Sequence, residues 1–454
     1  MVSNFDLVVR GGTLVTHDLE FRGDVGVLGG VITAIGLDLP RGHREFNAEG
    51  LHVLPGLVDA HVHLREPGMT AKGGFSDGTR AAAAGGVTTV IDMPNTTPPV
   101  TSAERFETKR ALVEPKSHVD FGLYGLFAPE SVGQFESLAA AGCAGLKLYL
   151  GKSVGGHTPP DDGTIFAGLE EAASVGLVVG VHAENDHIVD LFTRRLREAG
   201  RTDPRTHSEA RPELAEVEAV TRITTLATAA GASLHIHHVS TLAALDRIRT
   251  LRATGHRLTV EAIVAHLLLD ESAYDSYGNL VKLNPPLRRA ADVAGLWQGV
   301  LHREIDLIAT DHAPHTDDEQ DQDDVWLAQG GFIGVETSLR LLLTQVAAGR
   351  FGLTDVVRTY SYAPARRWSL RSKGRLESGA DADLAIVDLG ASEIIRPESL
   401  NSRWTRTPFA GWAVSASVRR TYLRGQLVAE NGQAVGPPSG RFTRPGQIST
   451  TIVA

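Results

Sequence analysis

The chain has 454 residues, of which 42% are hydrophobic and 22% charged, and its formal net charge is -10. That length allows one large domain and a smaller one, while the acidic balance argues against nucleic acid or an anionic membrane as partner, since both select a basic surface. Cys143 is the single cysteine, so no intrachain disulfide can form. No apolar run reaches membrane-spanning length and MVSNFDLVVRGG lacks a signal-like apolar core, so a cytoplasmic, reducing location is expected.

Residues 5–53 alternate apolar and polar positions between Gly-rich turns, as in FDLVVRGGTLV and DVGVLGGVITAIG. This period of two predicts short antiparallel strands. The same texture returns in DADLAIVDL and VSASVRRTYLRGQLVAENG near the other end. Residues 1–54 and 376–454 are therefore predicted to build one small β-sandwich domain together.

Residues 55–375 read differently. Eight apolar, β-branched runs occur in order: LPGLVDAHVHL, GGVTTVIDMP, HVDFGLYGLF, CAGLKLYL, GLVVGVHAEN, ASLHIHHVS, HRLTVEAIVAH and IDLIATDHAP. Helical segments such as SDGTRAAAAG and ELAEVEAVTRITTLATAAG fall between them and end near glycine, a common helix stop. Eight β-then-α units predict an α/β fold, a closed (β/α)8 TIM barrel. Two polar stretches, Gly151 to Pro160 and Thr316 to Gly330, follow the fourth and eighth runs, where one of them could act as a lid.

A barrel of this kind carries its site at the C-terminal strand ends. His61 and His63 lie at the end of run 1, Lys147 on run 4, His182 on run 5, His238 on run 6 and Asp311 on run 8. Residues i and i+2 of a strand share a face, so His61 and His63 can grip one cation. By the same alternation, His237 is expected to turn away from a site that His238 faces, and His235 to be structural. Lys147 sits in an otherwise apolar run; a desolvated lysine can lose its proton and add carbon dioxide, giving an anionic carbamate able to bridge two metals.

The segments PGLVDAHVHL, GLKLYLG, VHAEN, HHVST and TDHAPHT, with LNPPLR, GFIGVETSLRLLLT and TPFAGW, resemble the amidohydrolase superfamily. The resemblance is to its cyclic-amide branch of dihydroorotases, allantoinases, hydantoinases and dihydropyrimidinases. It implies two divalent metal ions, usually zinc: His61, His63 and Asp311 on one, His182 and His238 on the other, and carboxylated Lys147 between them. It also implies a small cyclic amide as substrate, a homo-oligomer (dimer or tetramer), and Asp311 as the group that moves the proton from attacking water to leaving nitrogen.

Within the branch, HLRE, MPNT and DHAPH match the carboxylate contacts of dihydroorotases, making Arg65, Asn95 and His315 the expected substrate-binding residues. Lys152 stands where dihydropyrimidinases place a tyrosine. Two features pull away from dihydroorotase: Ala265 replaces a histidine usual after run 7, and VHAENDHIVD with EARPELAEVEAV look closer to allantoinases and L-hydantoinases. Dihydroorotate hydrolysis and its reversal, in pyrimidine biosynthesis, is thus the expected reaction. Allantoinase or hydantoinase is the alternative, and a relative kept as a non-catalytic scaffold is the alternative of another class.

Overall fold

The computed structural model describes residues 5–152 and 158–446. Its larger part is a parallel barrel. The barrel strands are Leu57–Val62, Val87–Asp92, a third in two pieces (Asp120–Leu123 and Gly125–Phe127), Leu146–Tyr149, Val178–His182, Ser233–Ile236, Leu258–Ile263 and Leu307–Ala309. The third strand is interrupted at Tyr124: its first piece pairs with strand 2 and its second with strand 4. Between strands 8 and 1 the barrel closes through a parallel bridge of Val62 with His312, where the His63 amide donates to the His312 carbonyl at 2.7 Å.

These strands are short and buried nearly throughout, which is why they read as apolar runs without alternation. Helices cover them. Asp162–Val175 starts at Asp161, whose side chain accepts from the Thr164 amide, and stops at Gly176 with φ +72°. Glu213–Ala230 stops in the same way at Gly231, φ +71°.

The chain ends share one sheet. Among the described residues it holds nine strands, with Leu384–Asp388 lying antiparallel to His52–Pro55 and so joining the two ends. Its apolar cluster draws on both, including Leu7, Val25, Val53, Leu384, Ile386 and Tyr422. Residues 438–446 leave that sheet and run beside the third barrel strand, where Phe442 packs on Phe106 and Phe121. The lid expectation for Gly151 to Pro160 falls partly outside the described residues. Thr316 to Gly330 is tied to its surroundings: the Val325 amide donates to Thr202 O, and Lys282 Nζ donates to Val325 O and Ala328 O. Among the described residues no helix is long and apolar enough to cross a membrane.

Candidate active site

All six expected ligand residues meet at the C-terminal ends of the strands. His61 Nε2 lies 3.3 Å and His63 Nε2 3.1 Å from Asp311 Oδ1. Lys147 Nζ lies 3.4 Å from His61 Nε2, and His182 Nδ1 lies 3.1 Å from His238 Nε2. Burial drives the Lys147 ammonium down to about 8 and lowers all four histidines below their ordinary value. A buried set of neutral imidazoles, an easily deprotonated amine and a carboxylate suits divalent cations better than it suits itself: its lone pairs converge.

Three of the four imidazoles are aimed by a partner on the far nitrogen. His61 Nδ1 donates to Glu261 Oε1 at 2.5 Å, His63 Nδ1 to Asn95 Oδ1 at 2.9 Å, and His182 Nε2 to Glu184 Oε2 at 2.9 Å. Glu184 is itself buried and paired with Arg211, which together with His182 holds its carboxyl far below the usual range despite burial. Such outer partners fix which nitrogen faces a metal. The histidines thereby present Nε2 (His61, His63) or Nδ1 (His182) to the centre.

Three residues here adopt positive φ without being glycine: Arg65 at +63°, His238 at +35° and Asp311 at +50°. Such backbone is costly and collects at functional sites. At His238 it also bears on a sequence expectation. Strand 6 ends at Ile236, so alternation no longer governs positions 237 and 238. His237 does not line the cleft, as expected, but it does not leave the barrel either: its ring lies 4.4 Å from that of His61, in the interior. His235 sits deeper, between Thr259 Oγ1 and Glu261 Oε2.

The cleft above the cluster is lined by the six ligand residues with Arg65, Asn95, Tyr149, Lys152, Leu283, Asn284, Ala313, Gly330 and Gly331. Arg65 is buried, and its guanidinium donates from Nε to Pro314 O at 3.2 Å and from Nη2 to His315 Nε2 at 3.1 Å. His315 lies behind Arg65 and is absent from the cleft lining; its Nδ1 faces Glu319 at 3.1 Å, and burial pushes the ring down to about 4. Asn95 reaches the cleft but commits its carbonyl oxygen to His63. The Pro-Gly turn after Arg65 is constrained: a Cβ on Gly68 would meet Thr97 O at 2.0 Å, with φ at +82°.

Sequence reasoning missed Glu261, Glu184, Asp59 and Tyr149. The signal was present for the first: one carboxylate inside the otherwise apolar LTVEAI.

Comparison with known proteins agrees with this geometry. The Amidohydrolase family model matches residues 52–428. An allantoinase of Rubrobacter xylanophilus is 42% identical over 98% of both chains. A dihydroorotase of Methanothermobacter thermautotrophicus is 37% identical over 94% of this chain and 95% of its own. The solved structure of an L-hydantoinase (dihydropyrimidinase) from Arthrobacter aurescens, 31% identical, superposes with a TM-score of 0.95, covering 97% of this chain and 100% of that one. The chain belongs to the amidohydrolase family, in the branch that hydrolyses cyclic amides.

Proposed function

We propose that this protein is an allantoinase: it adds water across the ring amide of allantoin, breaking the carbonyl–nitrogen bond to give a carboxylate and a second ureido group. The observation that carries this is the 42% identity, across 98% of both chains, to a relative named allantoinase. It displaces the dihydroorotase expectation to second place. One feature of the cleft favours the change: His315, expected to help hold a substrate carboxylate, stands behind Arg65 and is not part of the lining. Arg65 already spends its Nε and Nη2 donors on Pro314 and His315.

The cofactor in this reading is a pair of zinc ions: His61, His63 and Asp311 would hold one, His182 and His238 the other, and a carboxylated Lys147 would serve both. When bound, such ions lower the pKa of water and polarise a carbonyl. The chain's own residues do the rest. The neutral form of Lys147, favoured by burial, is the form that can add carbon dioxide. The Asp311 carboxylate, whose Oδ1 lies 3.1–3.3 Å from two imidazole nitrogens, accepts the proton of the attacking water and returns it to the leaving ring nitrogen. Arg65 orients the ring substituent. Assembly as a dimer or tetramer and residence in the cytoplasm complete the proposal.

The test is a side-by-side assay of the zinc-loaded protein on allantoin, dihydroorotate and a substituted hydantoin. Allantoin is expected to give the highest kcat/KM. A higher kcat/KM on dihydroorotate would return the sequence-based expectation to first place.

A further inference from the structure

Tyr149 follows Lys147 by two residues on the fourth barrel strand, so both side chains leave the same face of it. Lys147 Nζ lies 5.1 Å from the centre of the Tyr149 ring, and the His182 ring lies 6.0 Å from it. The ring lines the cleft together with Arg65 and Asp311, yet it is 7% exposed. Its hydroxyl is buried and has no hydrogen-bond partner among the described residues. Two other buried barrel tyrosines behave otherwise: Tyr124 donates to Ala60 O at 3.3 Å and Tyr360 to Asp59 Oδ2 at 2.9 Å. A buried hydroxyl without a partner is unfavourable in a protein interior and calls for an explanation. Here the hydroxyl belongs to a cleft-lining residue beside the ligand cluster, so a bound molecule can supply the missing acceptor.

We propose that the Tyr149 hydroxyl donates a hydrogen bond to the oxygen of the ring carbonyl under attack, making Tyr149 a catalytic residue. The inference rests on the proposed hydrolysis of a cyclic amide. A carbonyl oxygen offers lone pairs and no proton, which matches a phenol that has found no acceptor of its own. As water adds to the carbon, the C=O π pair moves onto oxygen and negative charge grows there. The hydrogen bond strengthens without the O–H bond breaking, so the tyrosine ends each turnover unchanged. A donor fixed by strand backbone, in a site shielded from water, stabilises that charge with little reorganisation.

The experiment compares Tyr149→Phe with the unsubstituted zinc-loaded protein. It measures kcat and KM on allantoin, dihydroorotate and a substituted hydantoin, together with metal content and thermal midpoint. On whichever ring the unsubstituted protein opens, kcat is expected to fall about 100-fold, the scale for losing one oxyanion donor. KM, metal content and thermal midpoint are expected to stay near their original values. An unchanged kcat overturns the assignment, and so does a loss of activity that tracks lost metal or a lowered midpoint, since the hydroxyl would then be structural. If the unsubstituted protein opens another of the rings but not allantoin, the allantoinase reading fails alone and Tyr149 is judged on that ring. A protein that opens none of them overturns both.

Discussion

Glu261 is the residue on which the ligand geometry turns. One carboxylate, fully buried on the seventh strand, accepts from His61 Nδ1 and from the His238 backbone amide at 3.2 Å through Oε1. Oε1 also lies 3.1 Å from His237 Nδ1, and Oε2 lies 3.2 Å from His235 Nε2. It therefore sets the tautomer of a ligand from strand 1 and the backbone of a ligand that follows strand 6. Glu261→Leu keeps the volume close and removes both constraints; metal affinity is expected to fall about 10- to 100-fold, the range for outer partners of ligating histidines. Titration of metal-free protein against a chromophoric chelator measures this, and an unaltered affinity would mean that His61 is oriented by packing alone. The clustering of the six residues was legible because His61 and His63 lie two residues apart and the others lie on or just after the barrel strands. What alternation could not reveal was that the far-side partners of His61 and His63 come from strand 7 and from the loop after strand 2, nor that Asn95 and His315 would face other side chains before any substrate.

At the level of the elements, the seam between strands 1 and 8 shows how the site is held. Asp59, two residues before His61, accepts from Thr310 Oγ1 at 2.6 Å and from Tyr360 Oη at 2.9 Å, so the strand carrying two histidines is fastened to the one that leads to Asp311. Burial raises the Asp59 carboxyl to about 6 from its ordinary 3.8, although these donors pull the other way. The folded protein thus keeps a proton there that the unfolded chain releases. The resulting stabilisation is complete below about pH 4 and is lost as pH rises through about 6. Asp59→Asn is expected to flatten stability against pH across that interval, read from urea midpoints at closely spaced pH values; an unchanged slope would show that Asp59 is ionised in the fold throughout. All eight barrel strands could be read from apolar runs, because parallel strands buried on both faces carry little else. The break of strand 3 at Tyr124 could not, since nothing in DFGLYGLF marks where one pairing partner gives way to the other.

For the molecule as a whole, one buried junction between the two parts lies at the end of the barrel away from the site. Lys373 Nζ lies 2.8 Å from both Asp381 and Asp383 and also pairs with Asp120 at the start of strand 3, where Arg424 of the small sheet joins it. A buried ammonium here takes the place among three carboxylates that a metal could otherwise take. Removing one partner of such a cluster leaves uncompensated charge, so it fixes the sheet domain to the barrel more by the cost of breaking it than by net attraction. That both chain ends share a sheet was legible from the returning alternation. The course of 438–446 was not, because its contacts are with residues distant in sequence: backbone bonds to strand 3, the Arg441 and Phe442 amides on Asp120 and Glu114, and the Phe442 ring on Phe121. At the rim of this barrel, the proposed function requires two divalent ions and a modified Lys147. The most direct measurement is the metal content of the purified protein and of Lys147→Ala, by plasma mass spectrometry after exchange into metal-free buffer with zinc and bicarbonate supplied beforehand. Two equivalents per chain are expected in the first, with a clear loss of metal and of ring-opening activity in the second. Two equivalents retained by Lys147→Ala with full activity, or none in the unsubstituted protein, would contradict it.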